Sequence, residues 1–97
     1  MPQISEVVRL YFALLCIARS EAEREKSPNN LGRMIRAERN FRYAVKSFAR
    51  ARLCWRDLRT TNVVRIIRPG HCVALKDDTT VDEGALVGFV EAQLSGH

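Results

Sequence analysis

Residues 28–59 read PNNLGRMIRAERNFRYAVKSFARARLCWRDLR, and their spacing decides the fold. Met34, Phe41, Phe48 and Trp55 recur every seven residues, and Ala37, Ala44, Ala51 and Leu58 each follow one of them by three. Alternating steps of three and four make an a/d seam, because their mean of 3.5 is close to the turn of an α-helix. The seam has a large, mostly aromatic layer and a mostly alanine layer. A facing helix can therefore approach closely at the alanines and interlock at the rings. So patterned, the rings read as core rather than as a cofactor or base-stacking surface. The expected element is one long helix over residues 28–59, with Ser27 as N-cap and Pro28 at N1, where a missing N–H loses no hydrogen bond.

Upstream, residues 4–26 read as a second helix. Its apolar part, VVRLYFALLCIA at residues 7–18, has Arg9 as its only charge. Two apolar sets share this helix: Val7, Leu10, Leu14 and Ile17, and beside them Ile4, Val8, Tyr11, Leu15 and Ala18. Together they cover more than half of the circumference. One facing helix cannot bury so wide a face, so the fold either sandwiches this helix or leaves a side for a second chain. The break at residues 27–30 is short, which predicts an antiparallel helical hairpin. At 1.5 Å per residue the two helices would be roughly 34 and 48 Å long, leaving about 14 Å of the second, with Trp55 and Leu58, overhanging the first. The candidate core or oligomer seam is thus Met34, Phe41, Phe48, Trp55 and Leu58 on one helix, with Val8, Tyr11 and Leu15 on the other.

Downstream the pattern changes. Residues 62–67 (NVVRII) are β-branched and short; Arg68-Pro69-Gly70-His71 suits a type II turn; residues 72–76 (CVALK) return. This predicts a β-hairpin over residues 62–76. Thr80-Val81-Asp82-Glu83 fits a capping box, and Leu86, Phe89, Val90 and Leu94 then follow helical spacing, with Gly96 as a stop. Gly84 and Gly88 argue against a helix at about 1 kcal/mol each, so residues 80–94 read as a helix, with a third strand as the alternative. The fold class expected is α+β: a long antiparallel helical hairpin, a short β-hairpin and a C-terminal helix, in one small domain of 97 residues.

The formal charge of +5 hides a sorted distribution. Residues 1–32 are balanced, residues 33–68 carry eleven basic side chains against Glu38 and Asp57, and residues 69–97 carry Lys76 against five acids. The middle block is net +9 and the tail net −4. On the second helix the cations fall away from the seam, and acids that would normally alternate with them are nearly absent. Like charges four residues apart each destabilise a helix by a few tenths of a kcal/mol, and a face that accepts this suits an anionic partner. The candidate partner-binding residues are Arg36, Arg39, Arg42, Lys46, Arg50 and Arg56, extended by Arg65 and Arg68 on the hairpin.

Catalytic and metal chemistry find little support. Cys16, Cys54 and Cys72 have no CxxC spacing, the histidines are His71 and His97 alone, and HExxH is absent. His71 and Cys72 are neighbours on an expected strand and would point to opposite faces. The acids at 77, 78, 82 and 83 lack the ligand spacing of a calcium loop and read as capping and loop solvation. No glycine-rich phosphate loop is present. No enzyme, metal or cofactor is expected. Three cysteines without a framework spacing suit a reducing, cytoplasmic setting, no run is long enough to span a membrane, and no secretory leader pattern is legible. The function expected is a non-enzymatic interaction or regulatory module, homo-oligomeric (a dimer), whose arginine-rich face binds an acidic protein. The alternative is a nucleic-acid-binding protein that contacts phosphates through the second helix and the hairpin. By association alone, a motif-free chain of this size also fits the accessory proteins of phages and mobile elements.

Overall fold

The computed structural model describes residues 1–61, 63 and 71–96. In chain order these form α1 (Glu6–Arg24), α2 (Pro28–Arg52), α3 (Trp55–Leu58), β1 (Cys72–Ala74), β2 (Thr80–Asp82) and α4 (Glu83–Leu94). The class is α+β, with two long helices packed together, a two-stranded antiparallel sheet and a C-terminal helix.

The helical hairpin is set by its caps. Ser5 Oγ accepts from the Val8 N–H and opens α1; Ser27 Oγ accepts from the Asn30 N–H at 3.1 Å and opens α2, with Pro28 in the first turn as expected. Asn30 Nδ2 donates back to the carbonyls of Glu25 (2.9 Å) and Glu21 (3.4 Å), which satisfies carbonyls at the end of α1 and closes the corner. The helices then run antiparallel, with Phe12 and Phe41 in tilted contact at 5.5 Å between ring centroids.

The seam holds through the middle of α2 and drifts at its end. Phe41, Ala44 and Phe48 are buried and Met34 is half-buried, but the next buried positions are Val45 and Ala49, and Ala51 is exposed. A straight helix turns 3.6 residues per turn rather than 3.5, so a strict seven-residue repeat rotates about 20° per heptad away from its partner. On α1, Val8, Leu15 and Ala22 face the core at seven-residue spacing, and Tyr11 is half-buried beside them.

The single helix expected over residues 28–59 ends at Arg52. Leu53 leaves helical geometry (φ −90°, ψ 142°), is fully buried, and offers its carbonyl to the Lys76 N–H at 2.8 Å. The chain restarts in α3, where Asp57 Oδ2 accepts from the Cys54 N–H at 2.8 Å and Asp77 Oδ2 accepts from the Trp55 N–H at 2.9 Å. The break shortens the overhang from the expected length of about 14 Å: α2, at 25 residues, exceeds α1, at 19, by about 9 Å. It also takes Trp55 out of the seam, since that side chain is exposed, while Leu58 reaches the core from α3.

The expected strand over residues 62–67 and turn at 68–70 lie outside the described residues, apart from Val63, which is buried. The return strand is present as β1, but its described partner is β2, in the register Cys72 to Asp82, Val73 to Val81 and Ala74 to Thr80. The turn between them, residues 75–79, holds Asp78 at φ +64°. Thr80 therefore belongs to a strand, not to a capping box, and the N-cap of α4 is Asp82, whose Oδ1 accepts from the Ala85 N–H at 2.9 Å. Segment 83–94 is a helix and not a third strand: Leu86 and Val90, one turn apart, are fully buried, and Gly84 and Gly88 sit on its exposed side. Gly96 at φ +79° follows the C-cap, the left-handed stop a glycine provides. The distal core joins Val45, Ala49 and Leu53 of the α2 end to Leu58, Val63, Val73, Leu75, Val81, Leu86 and Val90.

Candidate functional site: the outer faces of the helical hairpin

The outer face of α2 is built by the same periodicity as its inner face. Arg36, Tyr43 and Arg50 stand seven residues apart, Arg39 and Lys46 run alongside, and Arg42 lines a groove with Gly84, Val87, Gly88 and Glu91 of α4. Arg36, Arg39, Arg42 and Arg50 are exposed, and the row from Arg36 to Arg50 spans roughly 21 Å. Of the remaining expected members, Arg56 is exposed on α3 and not on the long helix, while Arg65 and Arg68 lie outside the described residues.

The fate of the five tail acids decides how much of the basic block stays available. Glu83 pairs with Lys46 at 3.4 Å. Glu91 is taken by Arg19 of α1 at 2.5 Å, and that hydrogen bond raises the Arg19 pKa. Asp82 caps α4, and Asp77 accepts N–H groups from Trp55 and Thr79; the bond from Trp55 is the main reason its carboxyl lies below the usual carboxylate range. Asp78 is exposed in the turn. Among the described residues, Lys46 is the one cation of α2 in an ion pair. Four of the five tail acids thus anchor the fold, and among the described residues no arginine of α2 is in an ion pair.

Tyr43 is the residue that sequence reasoning missed. It is 70% exposed, one turn from Arg39 and Lys46 and two turns from Arg36 and Arg50 along the same face, and it borders two grooves. On the α4 side, a groove of about 360 Å³ is lined by Ile35, Glu38, Arg39, Arg42, Tyr43, Lys46 and Glu83. On the other side, a groove of about 780 Å³ lies between the start of α1 and the end of α2, with Ala44 and Phe48 as floor and Val7, Tyr11 and Tyr43 among its walls. The signal was the seven-residue spacing of Arg36, Tyr43 and Arg50, which is masked by the stronger core repeat.

The wide apolar face of α1 divides cleanly. Ile4, Val8 and Leu15 enter the core; Val7, Leu10, Leu14 and Ile17 stay 57, 57, 46 and 57% exposed. Val8 and Leu15, together with half-buried Tyr11, thus serve the core, and the face left open is the neighbouring set. Cys16 and Cys72 are exposed free thiols, and the Cys54 thiol donates to Asp57 Oδ2 at 3.3 Å. Among the described residues, no group of three or more His, Cys, Asp or Glu side chains converges as metal ligands, and no helix is long and apolar enough to cross a membrane. Comparisons with family models, curated proteins and solved structures found no match to this chain.

Proposed function

We propose that this chain is a non-enzymatic interaction module that engages an acidic protein surface through the outer face of α2. One observation carries the reading: four of the five tail acids are held in a cap, in backbone hydrogen bonds or on Arg19 and Lys46, and Arg36, Arg39, Arg42 and Arg50 stand exposed without an ion partner among the described residues. An uncompensated cationic row on a rigid helix attracts and orients a carboxylate-bearing partner. The α4-side groove beside it supports protein over nucleic acid. It mixes two carboxylates, Glu38 and Glu83, with the exposed apolar surfaces of Ile35 and Tyr43. Arginine and tyrosine anchors with nearby apolar contact are the usual energetic centre of a protein interface, whereas a phosphate-tracking groove gains from having no acids in it. Free thiols at Cys16, Cys54 and Cys72 fit a reducing compartment such as the cytoplasm.

Exposed Tyr43 among cations favours one second reading, a single-stranded nucleic acid whose bases stack on the ring. Capture of partners from the source cell, with and without nuclease, separates the two. The expected result is a protein that survives nuclease and is lost with Arg39→Glu/Arg42→Glu, a loss of roughly 100-fold in affinity. Capture that vanishes on nuclease treatment, together with low-salt binding to an oligonucleotide that weakens steeply with added salt, overturns the protein reading in favour of the other.

A further inference from the structure

The open face of α1 has a geometry that the arginine face does not explain. Val7, Leu10, Leu14 and Ile17 are separated by three, four and three residues, two heptads of a/d spacing pointing away from the core. The set is symmetric about position 12: Val7 mirrors Ile17 and Leu10 mirrors Leu14. The intervening segment from 10 to 18 holds no charged residue, and the flanking exposed positions include Ala13 and Ser20, small enough for a second helix to close in. We infer that α1 pairs with α1 of a second copy of this chain, antiparallel about a twofold axis at the level of Phe12, through Val7, Leu10, Leu14 and Ile17.

Charge favours α1 over α2 as the face at which two copies meet, and it sets the direction. α2 carries seven cations against Glu38, so two copies meeting through that helix repel; α1 carries three acids and three bases, and two copies meet there without net repulsion. The position that continues the stripe beyond Ile17 is Glu21. In a parallel pair the two Glu21 side chains would face each other at the seam. In the antiparallel pair they stand roughly 27 Å apart, each beyond the N-terminal end of the other copy's α1. An isologous twofold contact of this kind closes on itself and does not propagate into filaments. The stripe offers a few hundred Å² per copy, below the roughly 800 Å² per partner of a standard stable interface, so the dimer is a weak one whose population rises with concentration.

Sedimentation of the full chain from micromolar to near-millimolar concentration tests the pairing. The expected result is a concentration-dependent doubling of mass. Leu10→Glu/Leu14→Glu should weaken it by roughly 100-fold with the circular-dichroism spectrum unchanged, since both side chains are half-exposed and Glu is a good helix former. Arg39→Glu/Arg42→Glu should leave it intact, so failure here is distinct from failure of the proposed function. In a Cys16→Ser/Cys72→Ser background under mild oxidation, Ala13→Cys should form a linked dimer, Val7→Cys alone should not, and a mixture of Val7→Cys with Ile17→Cys should. A monomer at every concentration, a dimer indifferent to Leu10→Glu/Leu14→Glu, or self-linking of Val7→Cys as strong as that of Ala13→Cys each overturns the inference.

Discussion

The outer faces of α1 and α2 both point away from the same core, yet they are opposites. The first is an apolar stripe with no charge over nine residues; the second is a cationic row with one exposed tyrosine in its middle. Each departs from an ordinary solvated helix face, which mixes both signs and shows few large apolar groups. The difference shows that two periodic sets can share one helix. Their spacing is visible in the sequence, but which set faces inward is settled by the partner helix. Adjacent leucines give the largest test of that division. Leu15→Ala removes a side chain that is 1% exposed, and a loss of about 2–5 kcal/mol in a denaturant melt is expected. Leu14→Ala, one residue away and 46% exposed, should shift stability by less than about 1 kcal/mol. Equal losses for the two would mean that the outer stripe is also a core.

A smaller effect is expected on the other face. Tyr43→Ala should leave the melting curve within about 0.5 kcal/mol of the parent, because the ring is mostly in solvent. It should nonetheless weaken partner binding by roughly tenfold, measured by titration calorimetry, as loss of a central aromatic anchor does. A Tyr43→Ala chain that binds as tightly as the parent while Arg39→Glu/Arg42→Glu does not would reduce the face to pure electrostatics and sharpen the contrast with α1.

Much of the hairpin was legible because caps and core spacing agree. Ser27 and Pro28 start α2 where expected, and Phe41, Ala44 and Phe48 face α1. What failed were extrapolations of local pattern past the point where tertiary contacts take over. The heptad continues in sequence to Trp55 and Leu58, but Leu53 is worth more in the distal core than in an overhanging helix, and Cys54 with Asp57 offers a ready restart. Thr80 to Glu83 satisfies a capping pattern, yet Val81 is needed opposite Val73 in the sheet, so the cap moves to Asp82. The arginine face was legible as charge but not as a surface. Only the structure shows that four of the five tail acids are held by a cap, backbone N–H groups, Arg19 or Lys46, and that Tyr43 stands exposed beside Arg39 and Lys46.

Asp77 separates fold anchoring from charge neutralisation, with the smallest effect of the set. Its carboxylate accepts from Trp55 N–H at 2.9 Å and from Thr79 N–H at 3.2 Å, tying the β-turn to the start of α3. The bond from Trp55 is the principal cause of its lowered pKa. Because the folded value lies below the unfolded one, the unfolded chain binds the extra proton between them, and stability rises with pH across that window. The contribution is complete above the ordinary Asp value of about 3.9 and disappears as pH falls through the lowered folded value. Asp77→Asn should therefore lower stability slightly at neutral pH, with the difference from the parent shrinking in acid melts below that window. Its affinity for the acidic partner should not change, because the carboxylate bonds backbone N–H groups and no arginine of α2. A tighter-binding Asp77→Asn chain would instead show that the tail shields the cationic row, and the two outer faces would then differ less than their side chains imply.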